Sequence, residues 1–423
     1  MSKRTNMPEE KGLDHSISLV KEGYDFIINR RESMQSNVFK TRVLGRSAYC
    51  LSGSEAAELF YDATKFKRAG AAPLPAKKTL FGVGGVQGLD DEAHRHRKAM
   101  FMQLWTRESV DKLGQLTRGY YAKAAKDWVQ QDEIVLYNEA KKILTQVVCD
   151  WCGVPLAEDE IEKRTDQLSL MFEKAGEADF SHFKGWSARS KAEDWIEDLI
   201  DEARDGSLQL NENTPFYKFI WHKDPDGSLL DKEIVAVEVL NLLRPTVANA
   251  VWIAFIGLAL HDSPPDSALT NEQLESFCQE IRRFYPFFPF TVAKVREDFT
   301  WQGYEFEKDT LTLLDLYGTN HHPEEWDNPD TFIGTRFIDS KQRPFSFIPQ
   351  GGGDYDTGHR CAGEWMTLLI MQETVDFLMN KISYQLPEQD LSYSLKEIPS
   401  LPKSRIRMRD VRFNTSDGLN RAT

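Results

Sequence analysis

The sequence predicts a mainly α-helical protein with a small β portion. Three observations carry that expectation. Helical periodicity dominates from Asp90 to Ile220. An unusually apolar helical pattern follows from Asp231 to His261. β-like composition is confined to short runs around Val38–Leu51, Thr291–Leu314 and Ile382–Phe413. No Gly/Ser linker or internal repeat divides the chain, so residues 13–423 are expected to form a single domain behind a disordered tail over residues 1–12. A chain of 423 residues can bury a sizeable core.

In order, Leu13–Met34 has helical periodicity, and Val38–Leu44 with Ala48–Leu51 reads as a hairpin around Gly45-Arg46. Ser52 or Ser54 is placed to cap a helix over Glu55–Tyr61. Lys65–Lys78 is a basic, Pro-rich connection, and Leu80–Leu89 a Gly-rich loop. The helices from Asp90 to Ile220 should break near Pro155, Gly176 and Gly206. Asp231–His261 reads as one long helix with Pro245 inside it. Thr270-x-x-Gln273 has capping-box spacing and should open a helix to Phe284. A buried helix is expected directly behind Cys361.

Composition narrows the function. A net charge of −14 argues against nucleic acid or an anionic membrane as partner, since both want a basic surface. The five cysteines, Cys50, Cys149, Cys152, Cys278 and Cys361, are odd in number and scattered, which suits a reducing cytoplasm better than a disulfide framework. The N-terminus has a basic start with no apolar run behind it, unlike a signal peptide or anchor. Leu242–Leu260 is the longest apolar stretch, but Arg244, Pro245 and Asn249 interrupt it, so a core helix is expected there and no membrane span.

The chemistry concentrates between Phe345 and Trp365. Gly351, Gly352, Gly353 and Gly358 let the backbone pass close to something flat and bulky, and Cys361 closes the loop. A cysteine at a helix N-terminus can be held as a thiolate, a ligand for haem iron and other metals. A buried structural cysteine fits this stretch equally well on its own. Upstream, Glu280 and Arg283 stand three apart on one helical face and can pair, although such pairs decorate most helices. Arg336, in Pro329-x-x-Phe332-x-x-x-Arg336-Phe337, is either a second guanidinium for Glu280 or a surface arginine.

In this order the three elements resemble the cytochrome P-450 superfamily, and the resemblance spans nearly the entire chain. It implies the cytochrome P-450 fold, with haem b held through Cys361 as the metal ligand. Glu280, Arg283 and Arg336 become a structural triad behind the cysteine loop. Two departures stand out. The positions seven and two before the cysteine, usually phenylalanine and arginine, are Asp354 and His359, with Arg360 directly before Cys361. The central helix lacks the usual acid–threonine pair and reads Leu243-Arg244-Pro245-Thr246; Thr246 could offer an alcohol, but no acid precedes it.

Arg244 sits in an apolar run, and an unpaired buried charge is costly. Its anion is either a substrate carboxylate, held bidentately, or a protein acid such as Glu238 about two turns earlier. Pro245 adds a helix kink at a cost of roughly 3 kcal/mol. Arg244-Pro245 with the extended Phe347–Gly353 loop is similar to the branch of fatty-acid peroxygenases that use hydrogen peroxide. That likeness implies a long-chain fatty acid as substrate and no obligatory redox partner. The carboxylate on Arg244 would supply the missing acid–base group, and attack would fall at Cα or Cβ. Phe81 and Gln87 would face the substrate head, with Arg244, Pro245 and Gln87 forming the catalytic set. Arg68, His94 and Lys98 would lie at the haem propionates, and Phe290 would line an acyl channel.

Gln87 carries no titratable proton at neutral pH, which favours hydroxylation over decarboxylation to terminal alkenes. A reductase-dependent monooxygenase and a non-catalytic haem-binding module are the other readings. Cys149-x-x-Cys152 lacks a redox context and reads as core. His321-His322 reads as a turn, because no second ligand pair accompanies it.

Overall fold

The computed structural model describes residues 6–175, 182–338 and 344–414. Two short helices, α1 (Ser16–Glu22) and α2 (Asp25–Met34), replace the single N-terminal helix; Gly23, at φ 59°, turns the chain between them. The hairpin is β1 (Val38–Val43) and β2 (Arg46–Leu51), antiparallel with Val38 opposite Leu51. The expected tail over residues 1–12 is corrected in its described part. Lys40 and the segment Pro8–Glu10 exchange backbone bonds, and Glu10 accepts from Arg30 and Thr41. Residues 1–5 lie outside the described residues.

Helix α3 (Ser54–Phe60) follows, but neither serine caps it: Gly53 is the N-cap, while Ser52 donates to Asp315 and Ser54 to Glu325. Past β3 (Phe66–Lys67) and α4 (Leu74–Ala76) comes a π-helical turn, Lys77–Phe81, and a 3₁₀ turn, Val86–Gly88. The helical region holds α5 (Asp91–Met102), α6 (Arg107–Trp128), α7 (Leu136–Cys152), α8 (Ile161–Glu173), α9 (His182–Arg204) and α10 (Pro215–Ile220). It breaks where Pro155 and Gly206 predict, and additionally before α6 and at β4 (Glu133–Val135). The break expected near Gly176 lies outside the described residues. In α6, Leu113, Thr117, Tyr121, Ala125 and Trp128 are buried at spacings of three and four, a single apolar stripe.

The central helix is α11 (Lys232–Ala248) followed by α12 (Ala250–Asp262). Pro245 does not end α11. It leaves the Asn241 carbonyl without its usual donor, and one turn later Asn249 donates to Thr246 at 3.1 Å before α12 starts. Lys232–Asp262 is long and apolar enough to cross a bilayer, but 94 % of its most apolar window is buried inside the protein. Helix α13 (Asn271–Phe284) begins with the Thr270–Gln273 capping box, both bonds formed.

Strands β5 (Phe290–Val295), β6 (Phe299–Trp301), β7 (Tyr304–Phe306) and β8 (Leu311–Asp315) follow. After α14 (Tyr317–Asn320) come α15 (Glu364–Asp376), β9 (Ile382–Gln385) and β10 (Arg407–Phe413). The larger sheet runs β1-β2-β8-β5-β3, with β2 and β8 parallel; the smaller runs β4-β10-β9. The main core lies among α6, α7, α11, α12, α13 and α15. Two smaller apolar clusters sit on the faces of the β1–β8 sheet.

Candidate active site

Arg244 lies on the last turns of α11, 5 % exposed. Among the described residues it has no hydrogen-bond or ion-pair partner, and its Nε is buried without an acceptor. Burial, and then the neighbouring Arg189, lowers its pKa from 12.5 to about 9, against a smaller opposing pull from Cys361. The alternative partner, Glu238, is taken. Its carboxylate accepts from Arg97 at 3.0 Å, from the Val86 backbone at 2.9 Å and from Asn241 at 3.0 Å.

Two elements bring the loop carrying Phe81 and Gln87 to this helix. Gln87 Oε1 accepts from Asn241 at 3.2 Å. Arg189, on α9 and 1 % exposed, donates to the carbonyls of Leu80 and Thr79 at 3.1 and 3.4 Å, and Glu193 balances its charge at 2.7 Å. Phe81, half-buried, packs against the main core. Thr246 is not available as a relay: its hydroxyl donates to the Leu242 carbonyl at 2.8 Å and faces Met366. Phe290 opens β5 and packs against the small cluster of Phe26, Phe39 and Val43.

On the other side, Cys361 lies one turn before α15, so the cysteine precedes the helix rather than starting it. The Gly363 backbone and Gln350 Nε2, at 3.8 Å, direct donors at its sulfur. Burial nevertheless raises the unliganded thiol above its ordinary value. Gly351 and Gly353 have φ of 90° and 87° and press the loop on Tyr61, where added Cβ atoms would come within 3.0 and 3.2 Å.

The loop is braced from behind. Both Glu280 oxygens are bonded to Arg283, at 2.7 and 2.8 Å, and Arg336 Nε reaches both at 3.0 Å. Arg283 then binds the carbonyls of Asn320 and Pro329, and Asn320 accepts from Ile348 at the start of the loop. A second brace was hidden in the sequence. Arg282 donates to Glu364 at 2.7 Å and to Gln350 at 2.8 Å, and Glu364 also binds Arg360 at 2.6 Å. All three of Glu280, Arg282 and Arg283 are essentially buried, so their pairing is obligatory.

Between the loop and α5 stands a group of buried nitrogen-bearing side chains, Arg68, His94 and Lys98. Arg68 lies over the Phe60 ring at 4.2 Å, its pKa lowered by burial to about 10. His94 stacks on His359 at 3.8 Å and is pushed down to about 3 by burial and its neighbours. Lys98 donates to the Arg360 carbonyl, and burial lowers it too. Asp90 is the acid beside them, already bonded to the backbone of Arg68 and Ala69. A group bearing carboxylates, and wanting a thiolate ligand on one face, matches this set. The residues therefore fit haem: Cys361 would be its ligand, and Arg68, His94 and Lys98 would be the groups available to its propionates. His359, which sequence reasoning noted only as a departure, joins them.

The other signals are structural. Cys149 and Cys152 are buried in α7 with raised pKa values, and His321 packs on Tyr317 and donates from Nδ1 to its carbonyl. Among the described residues no group of three metal-ligating side chains forms.

Comparison with known proteins agrees with this geometry. Residues 270–405 match the family model for cytochrome P450. The structure of cytochrome P450EX alpha (CYP152N1) with myristic acid is 49 % identical and superposes with a TM-score of 0.93, covering 96 % of this chain and 99 % of that one. Cytochrome P450 OleT, as a variant in complex with arachidonic acid, is 34 % identical with a TM-score of 0.94, covering 98 % and 100 %. Cytochrome P450 71A8 of Mentha piperita is 26 % identical over 151 residues, 34 % of this chain and 29 % of its own length. The chain thus spans about a quarter of the length of the first curated relatives that it matches. Full-length likeness to the CYP152 structures, together with the thiolate loop and its Glu280 brace, makes this chain a member of the cytochrome P450 superfamily, in its CYP152 fatty-acid peroxygenase branch.

Proposed function

We propose that this chain hydroxylates long-chain fatty acids at Cα or Cβ with hydrogen peroxide, the substrate carboxylate on Arg244 acting as acid and base. The single observation that carries the reading is the buried Arg244 guanidinium, which has no counter-ion among the described residues while Glu238 and Glu193 are engaged by Arg97 and Arg189. A carboxylate fits that deficit bidentately. The acids named in the two related complexes, myristic and arachidonic, have the same headgroup.

Held through Cys361, haem supplies the centre at which the O–O bond of peroxide is broken. What the protein contributes is placement. Arg244 orients the carboxylate, and the apolar wall of α11 and Phe81 excludes water from it. The carboxylate takes a proton from peroxide and returns it to the departing oxygen, a role that Thr246 cannot fill with its hydroxyl turned to Leu242. Gln87, its oxygen tied to Asn241, donates no proton, which supports hydroxylation over alkene formation. Anchoring the carboxylate on Arg244 would present the carbons next to it, Cα and Cβ, for oxidation. We assign no obligatory redox partner. That Cys50, Cys149, Cys152 and Cys278 are buried and form no disulfide supports a cytoplasmic setting.

The test is to incubate the purified, haem-loaded protein with a long-chain fatty acid and peroxide, without reductase, and identify products by mass spectrometry. 2- or 3-hydroxy acids are expected. Products that form only with a reductase and NADPH would overturn the reading.

A further inference from the structure

The loop from Thr79 to Gly88 combines a π-helical turn, four glycines and a 3₁₀ turn, so little of its own structure fixes it. Its two ends are nevertheless tied to buried charges. At the first end, Arg189 reaches from α9 to the carbonyls of Thr79 and Leu80, immediately before Phe81. The contact is close enough that a Cβ on Gly82 would stand 2.3 Å from Arg189 Nη2 and 2.5 Å from Val237. At the second end, Glu238 reaches from α11 to the Val86 backbone N–H, immediately before Gln87. The same carboxylate holds Asn241, which in turn holds the Gln87 side chain.

Each charge carries its own counter-ion outside the loop. Glu193 serves Arg189, and Arg97 serves Glu238. Glu238 is fully buried and Arg189 nearly so, which makes these bonds strong and their loss expensive. The pairing also leaves Arg244 as the distal charge that no protein acid neutralises among the described residues.

We infer that Arg189 and Glu238 are positioning residues, clamping the two ends of the distal loop so that Phe81 and Gln87 keep one place relative to Arg244. The clamp rests on bonds in the structure; its effect on catalysis rests on the reading of Arg244 as the carboxylate anchor. A loop held at both ends presents one wall to the substrate head, and the carbon that is attacked depends on that wall. Loosening either end therefore changes where oxidation falls as well as how tightly the acid binds.

The test uses the haem-loaded full chain and two variants. Glu238→Gln keeps the shape but removes the charge, and Arg189→Lys keeps the charge but cannot fork between Glu193 and two carbonyls. Amide hydrogen exchange is followed by mass spectrometry for residues 79–88 and, as control, for α13. Exchange in 79–88 should rise about tenfold in both variants while α13 is unchanged. The ratio of Cα to Cβ products should drift, with KM rising more than kcat falls. Unaltered exchange in 79–88 in both variants, or an equal rise throughout the chain, would overturn the clamp. The functional reading fails separately: parent protein giving no peroxide-driven product would refute that reading, and the exchange measurement would still decide the clamp.

Discussion

Replacing Arg244 by leucine should make the protein more stable and, at the same time, blind to its substrate. The first half follows from the charge. Burial lowers Arg244 from 12.5 to about 9, which corresponds to about 5 kcal/mol against the protonated form in the folded state. Because the folded pKa lies below the unfolded one, this penalty is present at neutral pH and disappears only above both values. Leucine removes it but leaves a gap where the longer side chain packed, costing about 1–2 kcal/mol. The net is a gain of about 3 kcal/mol, or about 2–4 °C in a chain of this length. The second half follows from lost pairing: removing one partner of a buried ion pair costs about 3–5 kcal/mol, so fatty-acid affinity should fall about a hundredfold or more. Thermal unfolding of haem-loaded parent and variant, with and without a long-chain fatty acid, reads both halves. At a hundredfold excess over Kd the acid should stabilise the parent by about 2.7 kcal/mol and the variant hardly at all. A variant that is less stable than the parent and is still stabilised by the acid would refute the reasoning.

Other perturbations separate the remaining parts. Glu280→Gln breaks a buried pair shared by two arginines and should cost about 3–5 kcal/mol in urea unfolding together with haem retention; parent-like haem content contradicts the bracing role. Cys361→Ser should abolish the red-shifted band of the ferrous–CO complex, and persistence of that band excludes the cysteine as ligand. Burial raises Asp315 from 3.8 to about 7, so the stability tied to its protonated form is complete below about pH 4 and lost as pH rises through 7. Asp315→Asn should thus exceed the parent in urea midpoint at pH 8, the two converging at pH 4; a difference that does not change with pH refutes this. Thr246→Val should keep peroxide-driven turnover within about threefold, whereas a loss of a hundredfold would restore the hydroxyl to a proton relay.

What could be read from the sequence was whatever has a local signature. The capping box of α13, the Gly45-Arg46 turn between β1 and β2 and the apolar run of the central helix depend on neighbours a few residues away. Glu280 and Arg283 share a turn, and Arg244 announced itself as a charge in an apolar run. Long-range pairings had no such signal. Arg189 looks like any helical arginine until Thr79 and Leu80 are brought beside it, and Arg282 looks like the exposed neighbour of Arg283 until Glu364 closes on it. Glu238 could have been noticed by the logic applied to Arg244, as an acid inside the same apolar helix, but its partner Arg97 is 141 residues away. Ser52 and Ser54 show the converse: good capping residues, drawn off by Asp315 and Glu325 across the sheet. The N-terminal segment was misjudged because its order comes from pairing with Lys40, not from its own composition.

The central claim is that the substrate's own carboxylate completes the acid–base machinery beside Arg244. Its most direct test compares a long-chain fatty acid with its methyl ester, each given to the haem-loaded protein with peroxide at concentrations that saturate binding. Hydroxylated product from the acid alone, with ester turnover lower by at least about a hundredfold, is the predicted result. Equal turnover of acid and ester would contradict it.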